Sequence, residues 1–219
     1  MKKNEDLQKD VQDAIKWEPL LHAAEIGVIA KDGIITLTGL VDSYAKKLEA
    51  EHATRNVAGV KGVVEQIEIH YSGIGNKTDN EIATEALNAL KWNWELPNDK
   101  VMVKVEKGWI TLDGELEWHY QKETAQKVVK NIAGVRGVAN NIKIKSEIRD
   151  KVEQKDIERA LVRNWSIEDK DIQVKVVGSN VTLNGSVPSL YQKNEAGRIA
   201  WNAPGVHSVD NEILVEYLN

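Results

Sequence analysis

Cysteine and phenylalanine are both absent from this chain of 219 residues, and proline occurs only four times. Without cysteine the chain has no disulfide, no thiolate metal ligand and no thiol nucleophile, and its redox compartment is left unmarked. No stretch approaches the roughly 18 uninterrupted apolar residues of a membrane span, so any membrane contact is expected to be peripheral. A dominant charge of one sign is also missing. The formal net charge of -5 gives no global attraction for nucleic acid or anionic lipid, so binding to either would have to rest on a local patch. The opening "MKKNEDLQKDVQDAIKW" has neither an apolar stretch nor a small-residue cleavage site. The expected location is therefore cytoplasmic as the chain is written, or periplasmic if a leader has been removed.

What is present is the composition of a packed protein, with 42% hydrophobic and 29% charged residues, and seven tryptophans in place of the missing phenylalanines. The string "GWITLDG", residues 108–114, has relatives at "GIITLTG", 33–39, and "SNVTLNG", 179–185. Their last glycines are Gly39, Gly114 and Gly185, and a second set, Gly59, Gly134 and Gly205, follows them at one constant distance with no gap. Around this second set stand "VAGVKGV", "IAGVRGV" and "APGVHSV". Upstream, Trp17, Trp92 and Trp165 close three amphipathic stretches, equally far before the first glycine in the first two copies and slightly nearer to it in the third. The chain is an internal threefold repeat.

The middle copy shows the unit. Thr78 and Asp79 are candidate caps, and Ile82, Ala83, Ala86, Leu87 and Leu90 fall at helical spacing, which predicts a helix over 79–92. Val101, Val103 and Val105 alternate up to a break at Lys107-Gly108, which predicts a hairpin. Ala125, Val128, Val129 and Ile132 return to helical spacing, with Gly134 as a cap beyond them, and "GVANNIKIK" alternates as a third strand. The order helix, strand, strand, helix, strand predicts an α+β sandwich, with three strands and two helices on one face, repeated at 1–72, 78–146 and 150–219. In this reading "GWITLDG" is architecture: a turn glycine, inward Ile110 and Leu112, and a glycine that lets the chain leave the strand.

The paired strings "GIITLTG", "GWITLDG" and "NVTLNG", with the downstream glycine-valine motifs followed by "VEQIEI", "ANNIKI" and "VDNEIL", resemble the BON domain family over essentially the whole chain. The resemblance implies an α/β sandwich and a non-enzymatic role in envelope maintenance or osmotic-stress response, with phospholipid as a proposed ligand. Members of the osmotically inducible type usually carry a secretion signal, which this chain does not show.

Chemistry has little support in the residues. His22, His52, His70, His119 and His207 have no metal-ligand spacing, and Asp113 and Glu115 match Thr38 and Leu40 in the first copy and Asn184 and Ser186 in the third. No nucleophile elbow or phosphate loop is present, so no enzyme, cofactor or metal is expected. Basic residues are dispersed among acids, with no aromatic stacking array, so no nucleic-acid partner is expected. Trp17, Trp92 and Trp165, matched in every copy, are expected to pack in the core. Trp94, Trp109, Trp118 and Trp201 are unmatched, and three of these four lie in the middle copy. That copy is also the least acidic, with 11 basic and 10 acidic side chains in residues 76–146 against 9 and 12 in each flank. Indoles beside lysines suit a membrane interface. Lys91, Trp94 and Leu96, with Trp118 and Lys122 on the next helix, are therefore the candidate contact for an anionic phospholipid surface. The alternatives are a protein partner, for which the repeats would act as a scaffold, and a structural role for Trp94 against a neighbouring copy.

Overall fold

The computed structural model describes residues 3–21, 25–70, 77–97, 99–145, 152–164 and 172–216. The first repeat runs α1 (Asn4–Trp17), β1 (Ile26–Lys31), β2 (Ile34–Val41), α2 (Tyr44–Arg55) and β3 (Gly62–Ile69). The second runs α3 (Asp79–Trp92), β4 (Val101–Glu106), β5 (Trp109–Leu116), α4 (His119–Val129), β6 (Gly137–Asn140) and β7 (Lys143–Ile144). The third runs α5 (Gln154–Val162), β8 (Ile172–Val177), β9 (Asn180–Val187), α6 (Leu190–Trp201), β10 (Ser208–Asn211) and β11 (Leu214–Val215). This is the α+β order expected from the sequence, three times over, on three small sheets. By internal contact the chain clusters into two compact units, one of Met1–Gly39, Glu49–Ile67 and Ile148–Asn219, the other of Leu40–Leu48 and Glu68–Glu147.

In each sheet the second strand is central. In the middle repeat β4 pairs antiparallel with β5 in the register Val101↔Gly114 to Glu106↔Trp109. On its other side β5 pairs parallel with β6, from Trp109↔Gly137 to Leu112↔Asn140, and then with β7. The third repeat is built the same way, β9 holding β8 antiparallel and β10 and β11 parallel. A parallel third strand needs a crossover, which the second helix of each repeat supplies.

The inward faces follow the predicted alternation. Ile110, Leu112 and Leu116 of β5 are buried with Ile82, Ala86 and Leu90 of α3, Ala125 and Val129 of α4, and Val135 and Ile142, while Val101, Val103 and Val105 pack against them. Leu87, grouped with these by spacing alone, is half exposed on the flank of α3. The third repeat closes a separate core on Ile157, Leu161, Val181, Leu183, Val187, Ala196, Ala200 and Ile213.

The glycine string is architectural, by a tighter mechanism than a turn alone. Asp32–Gly33 and Lys107–Gly108 each place two successive residues at positive φ, the pattern of a type I′ hairpin turn, whose twist matches that of the strands. Gly114 has φ +144, and a Cβ there would lie 2.1 Å from the Lys100 carbonyl oxygen. The downstream motif docks onto the turn. The Gly108 carbonyl accepts from Arg136 N–H at 2.8 Å, as Gly33 accepts from Lys61 and Ser179 from His207. The fixed spacing of the two motifs is thus the distance along the chain from a hairpin turn, through the crossover helix, to the start of the strand that pairs beside it.

Candidate functional site

The candidate contact begins where α3 ends. Asn93 has left the helix at φ -85, ψ 115, and its N–H donates back to the Leu90 carbonyl. Leu96 N–H donates to the Asn93 carbonyl at 3.2 Å, and the Asn93 Oδ1 accepts from Glu95 N–H at 2.9 Å, which closes a tight turn over 93–96. Two side chains of α4 hold this turn in place. Gln121 Nε2 donates to the Glu95 carbonyl at 3.4 Å, and Thr124 Oγ1 donates to the Glu95 carboxylate at 2.8 Å. The turn therefore presents its outer side chains from a fixed backbone.

Those outer side chains are tryptophans. Trp92 is 86% exposed and Trp94 90% exposed, next to an exposed Lys91. The expectation that Trp17 and Trp92 pack in the core is overturned, since Trp17 is 84% exposed. The reason lies in helical geometry. Both residues follow the last core residue of their helix, Ile15 or Leu90, by two positions, which is about 200° around the axis and so on the opposite face. Trp165 lies outside the described residues. Leu96, expected on the contact surface, is instead buried at 7% exposure in the core of the middle repeat, and it anchors the turn from within.

Trp118 and Lys122 belong to the first turns of α4 and are both half-buried. Trp118 takes the cap position that Ser189 fills in the third repeat. Its N–H donates to the Gln121 Oε1 at 3.2 Å, and its ring stands 6.4 Å from that of Tyr120. Burial pushes the Lys122 ammonium below its usual range. Burial likewise pushes His119 down, with Glu123 opposing and Lys122 adding to the shift. The structure thus leaves Lys91, Trp92 and Trp94 exposed around the end of α3, buries Leu96 in the core, and leaves Trp118 and Lys122 half-buried at the start of α4.

Sequence reasoning missed several working residues. Of the two candidate caps, Thr78 forms a capping box with Glu81, while Asp79 accepts from the N–H groups of Lys107 and Gly108 at 2.8 and 2.9 Å, tying the start of α3 to the hairpin turn. Asn4 does the same for Asp32 in the first repeat. The matched positions Glu65, Asn140 and Asn211 each accept, through a side-chain oxygen, from the N–H of a buried isoleucine two positions on. Equal repeat offsets were the available signal for both. Trp109 lies against Gly137, where a Cβ would come within 2.3 Å of the ring, so a bare backbone opposite makes room for the indole.

Among the described residues, no group of three His, Asp or Glu side chains is placed to hold a metal ion, and no helix is long and apolar enough to cross a membrane. The exposed corner offers indole faces and an ammonium group. This pairing suits adsorption to a surface that is apolar below and anionic above.

Three successive helix–hairpin–helix–strand units, each with a parallel third strand, define a tandem array of small α+β sandwiches. Residues 3–71, 78–146 and 149–217 each match the BON domain, and the chain belongs to the BON domain family. It is 26% identical over 129 residues to the osmotically-inducible protein Y of Escherichia coli (strain K12), an alignment covering 57% of this chain and 64% of that relative, just under two thirds of its length. Among solved structures, CdsD, a structural protein of the type III secretion system of Chlamydia trachomatis, aligns over 98% of this chain and 94% of its own at 17% identity, with a TM-score of 0.27. The PrgH periplasmic domain aligns over 94% and 99% at 10% identity, with a TM-score of 0.24.

Proposed function

We propose that this protein is a non-catalytic stress-response module that adsorbs to anionic phospholipid surfaces, the middle repeat making contact through Trp92, Trp94 and Lys91. The observation that carries the proposal is the 90% exposure of Trp94 on a turn held at both ends by the core and by α4. An indole exposed to water gains free energy on leaving it, and a fixed backbone beneath Trp94 limits how far the turn can rearrange to cover the ring. The stress assignment draws on the name of the osmotically inducible relative.

Magnitudes rank the contributions. An indole presents about 150–250 Å² of largely apolar surface, worth up to about 5 kcal/mol if fully withdrawn from water. A lysine near an anionic surface contributes about 1 kcal/mol, which salt screens over about 8–10 Å. The tryptophans therefore dominate, and Lys91 selects for negative headgroups.

Flotation of the whole chain with neutral and with phosphatidylglycerol-containing vesicles tests this. Binding to the anionic vesicles is expected, with blue-shifted tryptophan emission and partial weakening by salt. Trp92→Ser/Trp94→Ser should weaken it at least tenfold while the far-ultraviolet circular dichroism is unchanged, and Lys91→Gln should weaken it about fivefold, the equivalent of about 1 kcal/mol. Failure of the wild-type chain to float with anionic vesicles would sink the proposal.

A further inference from the structure

The turn that carries Trp94 is built a second time. In the first repeat Glu18 N–H donates to the Ile15 carbonyl and Leu21 N–H to the Glu18 carbonyl, at 3.2 and 3.0 Å. These are the bonds of Asn93 to Leu90 and of Leu96 to Asn93, made one repeat earlier in the chain. The backbone repeats as well: Glu18 stands at φ -82, ψ 115, within a few degrees of Asn93. Leu21, 8% exposed, is the buried anchor in the place of Leu96. Lys16 and Trp17 take the places of Lys91 and Trp92.

The outer side chains are changed in identity but keep their character. Pro19 stands where Trp94 stands, and its ring stiffens the turn. Leu20 replaces Glu95 and is 60% exposed, so this corner also shows two large apolar groups, Trp17 and Leu20, beside an exposed lysine. Repetition of the fold does not require them to be apolar. Helix geometry places position 17 away from the core, and a polar residue there would cost the fold nothing.

We propose that the turn Lys16–Leu21 is a second lipid-inserting corner, with Trp17 and Leu20 entering the headgroup region of an anionic bilayer and Lys16 meeting its phosphates. The proposal rests on the lipid reading of the middle repeat and adds a site to it. A bilayer fits better than a protein partner because of size. A stable protein interface takes about 800 Å² from each side, more than two side chains on a small corner supply, whereas a lipid interface accepts isolated indoles one at a time.

The test uses the full chain with vesicles of phosphatidylcholine and phosphatidylglycerol, with and without brominated acyl chains. Three variants are compared with the wild type: Trp17→Ser/Leu20→Ser, Trp92→Ser/Trp94→Ser, and all four changes together. The three tryptophans are each more than four-fifths exposed and Leu20 is more than half exposed, and circular dichroism checks that the fold is kept. Each pair of changes should lower the partition coefficient tenfold or more, the fourfold variant should not bind, and the Trp92→Ser/Trp94→Ser variant should retain bromine quenching of its remaining emission that Trp17→Ser removes. If the Trp17→Ser/Leu20→Ser variant partitions and is quenched like the wild type while the Trp92→Ser/Trp94→Ser variant no longer binds, the second corner is overturned and the first stands. If the wild type does not bind at all, both readings fall.

Discussion

Gly39 and Gly114 show how much of the repeat is decided by single atoms. Both sit in the central strand opposite the start of its hairpin partner, at φ +132 and +144, and a Cβ on either would lie 2.0 or 2.1 Å from a backbone oxygen, that of Glu25 or Lys100. Backbone atoms cannot swing aside as a side-chain end can. Gly114→Ala should therefore destabilise the middle repeat by at least about 2 kcal/mol, the strain of the disfavoured φ being joined by the clash, and denaturant titration of the variant would show it. The tryptophans show the opposite case. Their matched places in the copies suggested packing, but matching tells only that the positions are equivalent, and the angle around the helix from Leu90 or Ile15 tells which way they face. The rule was legible in the sequence once the core residues of each helix were fixed. The burial of Leu96 was not, because it depends on a turn held by Gln121 and Thr124 from the next helix, across the whole intervening hairpin.

At the scale of elements, a helix and a hairpin are locked together by one carboxylate. Asp79 accepts from two successive N–H groups of the β4–β5 turn, groups that a type I′ turn leaves pointing outward. Asp79→Ala should cost about 1–3 kcal/mol, and amide exchange at Lys107 and Gly108 should accelerate more than exchange within β5, which would separate loss of this tie from general loosening. Asp79→Asn should recover much of the loss, since Asn4 makes one such bond in the first repeat. Element order, the two-residue turn and the inward alternation of β5 could all be read from periodicity and glycine placement. The interruption of the third strand between β6 and β7, and again between β10 and β11, could not. There Asn140 and Asn211 turn a side-chain oxygen onto the chain two positions ahead, while their amide groups donate to the Lys122 and Lys193 carbonyls of the crossover helices. Long-range bonds of this sort leave no periodic trace.

At the scale of the whole chain, the middle and last repeats close separate clusters of buried residues. Substitutions in different cores should therefore act independently. Ile142→Val is expected to lower the stability of the middle repeat by about 1 kcal/mol, and hydrogen exchange of the β9 amides in the last repeat should stay at its wild-type rate. A change in β9 would show that the two cores are energetically joined. The threefold organisation is the part of the fold that the sequence states most openly, through two glycine motifs that recur in step along the whole chain. Function is stated far less openly, because a surface-binding corner needs only a few residues and no fixed spacing between them.

The buried side chains among the described residues are aliphatic or small, with no aromatic ring among them, while Trp17, Trp92, Trp94 and Trp109 are all more than half exposed. Emission from these four indoles is consequently a signal from the protein's outside, while the half-buried Trp118 and Trp201 report on its interior. Their contribution, that of the four exposed rings, starts near the wavelength of indole in water and has little room to shift red as the chain unfolds, so a fluorescence melt would understate the loss of structure, which is followed better through the backbone.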